Sequence, residues 1–245
     1  MNIKIILSYD GTDFLGWQES IDGNTIEETL RKTLETIYQH PIRLQAASRT
    51  DRGVHADQQV VNFITEKSLD LNRLKISLNQ LLPKSIRILK IEEASKTFHP
   101  TLDAIGKEYH YSLCLIPVQS PFRRHFSWHI LSPLDMDRMK EGAASLIGTH
   151  DFKAFCNAQD PKPKDTLCNL KRLDIIADPP HLHFEIEGDR FLYKMVRNLV
   201  GTLVYLGMGK LSLDEVQKLL EKKDRTLAGI TAPAHGLTLK KVYYS

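Results

Sequence analysis

The order of strand-like and helix-like segments repeats once along the chain, and this repeat constrains the fold more than any other feature. Residues 3–9 alternate between apolar and polar side chains and predict a strand, and a capping box at Thr25 and Glu28 predicts the start of a helix. The rest of the first half follows in order: strands at 42–46 and 59–65, a helix carrying Leu71, Leu74, Leu78 and Leu81, and a strand at 86–91.

The second half repeats this order. Its elements are a strand at 107–115, a helix after Ser132–Asp135, strands at 170–177 and 182–187, a helix from about 192 to 207, a capped helix at Ser212 and a strand near 239–244. The sequence therefore predicts an α+β fold of two ferredoxin-like βαββαβ subdomains, residues 1–104 and 105–245. We expect mostly antiparallel sheets joined side by side, with a cleft between the subdomains.

Composition excludes several classes of protein. With 42% hydrophobic and 26% charged residues, the chain has the make-up of a globular protein. Its three cysteines, Cys114, Cys156 and Cys168, have no close partner in sequence, which predicts reduced thiols in the cytoplasm. The longest uncharged stretch, 198–209, is too short to span a bilayer, so no membrane association is expected. The histidine pairs lack further ligands nearby, and we predict no metal.

A loop rich in functional groups, Ala47–Asp57, lies between two predicted strands. Asp51 stands between Arg49 and Arg52, and two guanidinium groups close to it would favour its ionised form. A persistent carboxylate can act as a nucleophile or a base. The alternative is a turn in which Asp51 caps a helix or pairs with one arginine at the surface.

Two further segments carry candidate residues. On the helix from 192, a stripe separate from the apolar face consists of Lys194, Arg197, Gly201 and Tyr205. A partly buried Arg197 would require a carboxylate such as Asp51, whereas a solvated Arg197 would not. Tyr109 shares a predicted strand face with Lys107 and Tyr111, and its ring could stack on a base or fill the core.

The motifs run from end to end of the chain. They are Tyr9-Asp10-Gly11-Thr12 with Gly16-Trp17-Gln18, Arg49-Thr50-Asp51 with Gly53-Val54-His55, Phe98-His99, Lys107-x-Tyr109-x-Tyr111, Met195-Val196-Arg197-Asn198 with Gly201, and Ala232-Pro233-Ala234 with Gly236-Leu237. In order and spacing the chain resembles the tRNA pseudouridine synthase A family, whose catalytic signature is the loop Arg-Thr-Asp-x-Gly-Val-His.

The resemblance implies an isomerase that needs no cofactor and converts uridine to pseudouridine at positions 38, 39 and 40 of the tRNA anticodon stem-loop. It implies that Asp51 is the essential aspartate, that Tyr109 stacks on the target uracil and that Arg197 pairs with Asp51. It also implies that Arg49 helps to hold the place of the displaced nucleotide. A homodimer is implied, with one tRNA touching both subunits.

The net charge of only +3 requires that the residues binding tRNA be concentrated on one face. The candidates are Arg52, Arg123, Arg124, Lys162, Lys164, Lys171, Arg172 and Lys194. Solvated surface residues are the alternative for each of them.

Two positions depart from the family pattern. Ser48 replaces a glycine, and Thr101 replaces an arginine. They keep open a second hypothesis, a tRNA-binding or folding module without turnover. A hydrolytic glycosidase is a third, although the loop lacks a second well-placed carboxylate. The sequence also leaves open whether Asp51 attacks C1′, adds to C6 or removes the 2′ proton.

Overall fold

The computed structural model describes residues 1–158 and 165–245, and the chain divides into two compact units. The first unit is formed by Met1–Ile105 together with Thr238–Ser245, and the second by Gly106–Leu237. The predicted α+β class with mostly antiparallel strands is confirmed. Within the described ranges, no helix has both the length and the apolar character needed to cross a membrane.

The first unit has the predicted element order. It contains β1 (Asn2–Tyr9), α1 (Ile26–Tyr38), β2 (Gln45–Ala46), β3 (His55–Ile64), α2 (Leu71–Leu81) and β4 (Ile86–Ala94). Strand β1 lies between β3 and β4 and is antiparallel to both. On its other side, β3 pairs with β2 in antiparallel orientation. Alternate side chains of β1 are buried, with Ile5 and Leu7 fully inaccessible, which explains the period of two in the sequence.

Local signals in the sequence account for the helix boundaries of this unit. The Thr25 hydroxyl accepts a hydrogen bond from the Glu28 backbone N–H, as predicted from the capping box. Asp70 caps α2 by accepting from the N–H groups of Asn72 and Arg73. Both caps satisfy backbone donors that have no partner inside the helix.

The second unit is built on a sheet of four main strands. Its elements are β5 (Ala104–Cys114), β6 (Trp128–His129), α3 (Met136–Ser145), β7 (Gly148–Asp151), β8 (Leu167–Asp178), β9 (His181–Gly188), α4 (Met195–Gly207) and α5 (Leu213–Lys222). The strand order is β5-β9-β8-β7, with antiparallel neighbours throughout, and β6 adds a short parallel pairing to β5. The short strands β6 and β7 were not predicted, because two to four residues carry too little periodicity.

The last strand, β10 (Leu237–Tyr244), pairs in parallel with the start of β3. Thr238 is opposite His55 in this pairing, and Lys240 forms an ion pair of 2.7 Å with Asp57. The repeat in the sequence counts this strand with the second half, whereas in the structure it contributes to the sheet of the first unit. A pattern of local periodicity does not reveal which distant strand a segment joins.

Candidate active site

The backbone around Asp51 is fixed on both sides. The Asp51 carbonyl accepts a hydrogen bond from the Val54 N–H at 3.1 Å and so closes a tight turn. Gly53 is the third residue of this turn and has a φ of 76°, which glycine adopts at little cost. Just before the turn, the Thr50 carbonyl accepts from the Trp17 N–H at 3.0 Å. The carboxylate therefore projects from an anchored turn.

Buried side chains support the same loop. The hydroxyl groups of Thr50 and Tyr9 share a hydrogen bond of 2.8 Å. The Gln59 amide clamps the backbone of Ser48, donating to its carbonyl at 2.6 Å and accepting from its N–H at 3.3 Å. Because both of these bonds use the backbone of Ser48, a glycine at this position would form them equally well. The departure at Ser48 thus preserves this support of the loop.

A second motif packs directly against the turn. The Gly11 N–H donates to Nδ1 of His55 at 3.1 Å, and a Cβ placed on Gly11 would lie only 2.0 Å from the Val54 carbonyl oxygen. Gly16, with a φ of 104°, has similarly little room, because its Cβ would lie 2.9 Å from the Thr50 carbonyl oxygen. The glycines of the first motif are therefore required for backbone contact with the loop that carries Asp51.

Within the described part of the chain, the two arginines that flank Asp51 form no ion pair with it. Arg49 and Arg52 are both exposed, and among the described residues neither forms an ion pair within 4.0 Å. Asp51 itself is only partly buried. The expected close approach of both guanidinium groups to this carboxylate is therefore not seen among the described residues. Adjacency in sequence overestimated their proximity in space.

Thr101, the second departure from the family pattern, has a local structural role. Its hydroxyl donates to the Ala46 carbonyl at 2.7 Å, at the end of β2 and just before the loop. An arginine at this position has no hydroxyl to make this bond. With threonine at position 101, the segment that follows β4 lacks a positive charge but gains a hydrogen bond to Ala46.

Tyr109 lies on β5 in the second unit and is 7% exposed. Its ring meets Phe191 edge to face, with the ring centres 5.2 Å apart and the planes at 87°. Sequence reasoning missed Phe191, whose only signal was an aromatic residue between β9 and α4. On the same face of β5, burial lowers the pKa of the Lys107 ammonium to about 8.

Arg197 lies in the first turn of α4, where two reciprocal hydrogen bonds join it to Ala232. Its Nε donates to the Ala232 carbonyl at 2.7 Å, and the Ala232 N–H donates to the Arg197 carbonyl at 3.1 Å. The next residue, Pro233, accepts a hydrogen bond of 2.8 Å from the Tyr111 hydroxyl. Burial raises the pKa of Tyr111, and the nearby charge of Arg197 opposes this shift. Three separate sequence motifs therefore meet within this unit.

The predicted RNA-binding residues differ in their surroundings. Lys194 precedes α4 with a φ of 59°, and its ammonium lies 4.9 Å from the centre of the Tyr193 ring. The left-handed backbone at Lys194 explains why α4 begins at Met195 rather than near 192. Arg123 and Arg124 are exposed, which agrees equally with RNA contact and with solvated surface residues.

The other basic candidates are less suited to this role. Arg172 donates to Glu108 at 2.8 Å and also bonds Glu185, and Lys171 pairs with Glu187 at 3.6 Å. Their charges are thus partly neutralised within the sheet of the second unit. Lys162 and Lys164 lie outside the described residues.

One group of potential metal ligands occurs in the described part of the chain. Ligand atoms of Glu108, His110 and Glu185 lie within 4.8 Å of one another. Arg172 bonds both carboxylates and already supplies a positive charge there, and His110 Nε2 bonds Glu108 at 2.7 Å. The group thus forms an ion-pair network among three strands, and its carboxylates are engaged by side chains of the protein.

Comparisons with known proteins agree with the motifs. The family model described as tRNA pseudouridine synthase matches residues 5–102 and 143–245. The chain is 48% identical to tRNA pseudouridine synthase A 2 of Protochlamydia amoebophila over 246 residues, covering 99% of this chain and 94% of that protein. It is 41% identical to tRNA pseudouridine synthase A of Thermoanaerobacter sp. (strain X514) over 99% of both chains.

A third relative, tRNA pseudouridine synthase A of Thermodesulfovibrio yellowstonii, is 39% identical over the full length of both chains. Among solved structures, a Cbf5-Nop10-Gar1 complex shows 10% identity and a TM-score of 0.42 over 97% of this chain, which spans about half (48%) of that chain, a similarity too weak to inform the site. The family model and the full-length relatives show that this chain belongs to the tRNA pseudouridine synthase family.

Proposed function

We propose that this protein isomerises uridine to pseudouridine at positions 38, 39 and 40 of the tRNA anticodon stem-loop, with Asp51 as the essential carboxylate. The observation that carries the proposal is the anchored turn at Asp51, which unites the family's signature loop with the motif around Gly11. Family membership supplies the substrate class and the reaction. The position within tRNA and the role of Asp51 follow from the resemblance of the motifs.

The reaction rearranges bonds within one nucleotide. The N1–C1′ bond breaks, the uracil turns, a C5–C1′ bond forms, the proton on C5 leaves and N1 gains a proton. No electron donor or acceptor is consumed, so a carboxylate and groups that hold the base are sufficient. A base inside a helix must first be flipped out, which costs a few kcal/mol that stacking and phosphate contacts offset.

Each unit contributes side chains to this proposal. The first unit carries Asp51, together with Arg49, which would hold the place of the displaced nucleotide. The second unit carries Tyr109 for stacking on the uracil and Arg197 as the cation that supports the catalytic carboxylate. The edge-to-face contact of Tyr109 with Phe191 supports its role, because it fixes the ring plane before a base arrives.

The RNA itself requires positive charge at the surface. Arg52, Arg123 and Arg124 are proposed to contact tRNA phosphates, because all three are exposed. Lys194 is proposed to do so from the start of α4. In filter-binding measurements, we expect the protein to bind tRNA more weakly as the ionic strength rises. The affinity of Arg123→Ala for tRNA should depend less on salt than that of the wild type.

We further propose a cytoplasmic homodimer. The three cysteines are free, which supports a reducing compartment. Support for association comes from exposed apolar side chains between β5 and α3, among them Val118 at 80%, Phe122 at 90% and Leu131 at 70% exposure. Sedimentation of the wild type should give twice the monomer mass, and Phe122→Asp should shift the equilibrium to the monomer. A monomeric wild type at micromolar concentration would contradict this part.

Release of tritium from tRNA labelled at C5 of uracil tests the main proposal. Wild-type protein should release tritium, and Asp51→Asn should abolish release without unfolding the protein. Asp214→Asn is the matched control, because it makes the same chemical change in a residue that pairs with Lys218 on α5, outside this loop, and it should leave tritium release unchanged. Full activity of Asp51→Asn, or no release by wild type from any tRNA, would contradict the proposal. Free uracil as product would indicate hydrolysis instead.

A further inference from the structure

A short segment, Gly229–Ala232, contacts Arg197 through its last residue. The reciprocal hydrogen bonds between Arg197 and Ala232 tie both the backbone and the guanidinium group of Arg197 to this segment. A movement of Ala232 would therefore move the guanidinium or break its 2.7 Å bond. The segment is not part of any helix or strand, so something else must hold it in place.

The backbone of the segment is in close contact with the backbone of α4, so the segment cannot move closer to this helix. A Cβ on Gly201 would lie 1.8 Å from the Ile230 carbonyl oxygen, and a Cβ on Gly229 would lie 2.6 Å from the Gly201 carbonyl oxygen. These contacts prevent the segment from moving closer to the helix. They do not prevent it from moving away, which requires attractive interactions.

Arg225 supplies part of that attraction, in addition to the hydrogen bonds from α4. Its guanidinium donates to the Gly229 carbonyl at 2.8 Å, to the Thr231 hydroxyl at 2.9 Å, to Oδ1 of Asn198 at 2.8 Å and, more weakly, to Oδ1 of Asn157 at 3.3 Å. Only arginine offers five N–H donors in one rigid plane, so a lysine would not replace these bonds.

The acceptors around Arg225 are all neutral. Within residues 1–158 and 165–245, no carboxylate oxygen lies within 4.0 Å of this guanidinium. Burial lowers the pKa of Arg225, which shows that its surroundings disfavour the charge. Burying part of a cation without a carboxylate partner costs stability. The hydrogen bonds that Arg225 donates to the segment are the interactions that compensate for this cost.

Asn198, the residue that follows Arg197 on α4, belongs to this network. It is fully buried, its Oδ1 accepts from the Thr231 hydroxyl at 2.7 Å, and its Nδ2 donates to the Phe155 carbonyl at 2.7 Å. On the other side, the Gly229 N–H donates to the Thr202 hydroxyl at 3.0 Å. The segment is thus attached to α4 both near Arg197 and one turn further along.

We infer that Arg225 is a positioning residue for Arg197, acting through the segment Gly229–Ala232. Its importance for catalysis rests on the proposed function, in which Arg197 supports the catalytic carboxylate. Its effect on the orientation of Arg197 does not depend on any activity. The orientation of Arg197 and the rate of catalysis can therefore be measured separately.

Solvent exchange of the Arg197 Nε–H, followed by nuclear magnetic resonance, measures the orientation directly. The signal is assigned by its loss in Arg197→Lys. Because Arg225→Ala releases Ala232, exchange of this proton should become about tenfold faster, an increase that corresponds to about 1.4 kcal/mol of lost protection. Arg138→Ala, which removes an exposed arginine of α3, is the matched control and should leave exchange unchanged.

Kinetics test the consequence for catalysis, at a temperature where circular dichroism shows every variant folded. Arg225→Ala and Arg225→Lys should both lower kcat about tenfold or more while KM for tRNA stays within about threefold, because misplacement of a positioned group affects the chemical step. Added guanidinium should partly restore kcat in Arg225→Ala and have no such effect on Arg138→Ala.

The outcomes separate the inference from the proposed function. Unchanged exchange of the Arg197 Nε–H in Arg225→Ala overturns the inference whatever the activity. Altered exchange with an inactive wild type supports the positioning and contradicts the proposed function instead. Should Arg225→Ala fail to fold, Thr231→Val removes the hydroxyl that bridges Arg225 and Asn198 without changing side-chain shape, and unchanged exchange in that variant overturns the inference.

Discussion

Adding one methyl group at Gly11 should disable the protein by displacing the turn that carries Asp51. The new Cβ would lie 2.0 Å from the Val54 carbonyl oxygen, whereas ordinary contacts begin at 3.4 Å. The two segments must therefore separate by about 1.4 Å. The opposing atoms belong to the backbone and cannot rotate away. Since the Val54 N–H bonds the Asp51 carbonyl, a shift of Val54 carries Asp51 with it.

Two magnitudes follow from this displacement. Overpacking a rigid site typically costs about 1–3 kcal/mol of stability. A misplacement of about 1 Å can cost about 100-fold in rate, equivalent to about 2.7 kcal/mol. Gly11→Ala should therefore remain folded at low temperature with its kcat for tritium release lowered about 100-fold or more. The loss of rate should exceed what partial unfolding explains.

The measurement compares Gly11→Ala with Gly209→Ala. A Cβ on Gly209 meets no atom within 4 Å, so this control incurs only the strain of a φ of 72°, about 1–2 kcal/mol. Denaturation by urea gives the stability of each variant. The rate is that of tritium release, measured about 20 °C below the melting point of each variant so that all of them are folded. A Gly11→Ala variant with a rate within about threefold of wild type would refute the argument from backbone contact.

Three other changes test separate features. Tyr9→Phe and Thr50→Val, combined in a double-mutant cycle of urea denaturation, should show a coupling of about 1 kcal/mol, and additive effects would deny the 2.8 Å bond any energetic value. Because the folded pKa of Lys107 is about 8 against 10.5 when unfolded, the unfolded chain binds more protons at this residue between these values. As the pH rises across this window, the free energy of unfolding of the wild type should therefore gain up to about 3 kcal/mol relative to that of Lys107→Met. Parallel pH profiles for both proteins would contradict the burial of the charge. Ser212→Ala breaks the capping box with Glu215 and should lower stability by about 1 kcal/mol with tritium release unchanged, as checked by urea denaturation and the same assay.

The sequence predicted the elements whose signals are local. Alternation in residues 3–9 and the cap at Thr25 predicted β1 and α1, and the spacing of Leu71, Leu74, Leu78 and Leu81 predicted α2, which the structure places at Leu71–Leu81. The sequence predicts a loop that extends to Asp57, but β3 begins at His55, where both β10 and the end of β1 pair with it. These pairings join residues far apart in the chain, and no local pattern encodes them.

In the candidate site, too, local sequence signals were informative and contacts between distant residues were not predicted. The motifs pointed to Asp51, Tyr109 and Arg197, whose roles stay predictions, and the structure adds how each is held. Spacing alone suggested that Arg49 and Arg52 approach the carboxylate, and both are exposed without an ion pair in the described part of the chain. Arg225 gave no signal in the sequence, because its acceptors come from four separate positions that meet only in the folded chain.

The pairing of β10 with β3 also bears on how the protein is made. A ribosome delivers residues 1–105 first, and at about 5–20 residues per second the remainder takes on the order of 10 s. Until then His55 and Ala56 lack their neighbours on β10, Asp57 lacks Lys240, and the Pro100 carbonyl lacks the Tyr244 hydroxyl. The strand that directly follows the Asp51 turn is therefore completed only after the whole second unit has been translated. A chain cut short before residue 238 should lack these contacts of β3, and its Asp51 turn should be held less firmly than in the longer chain.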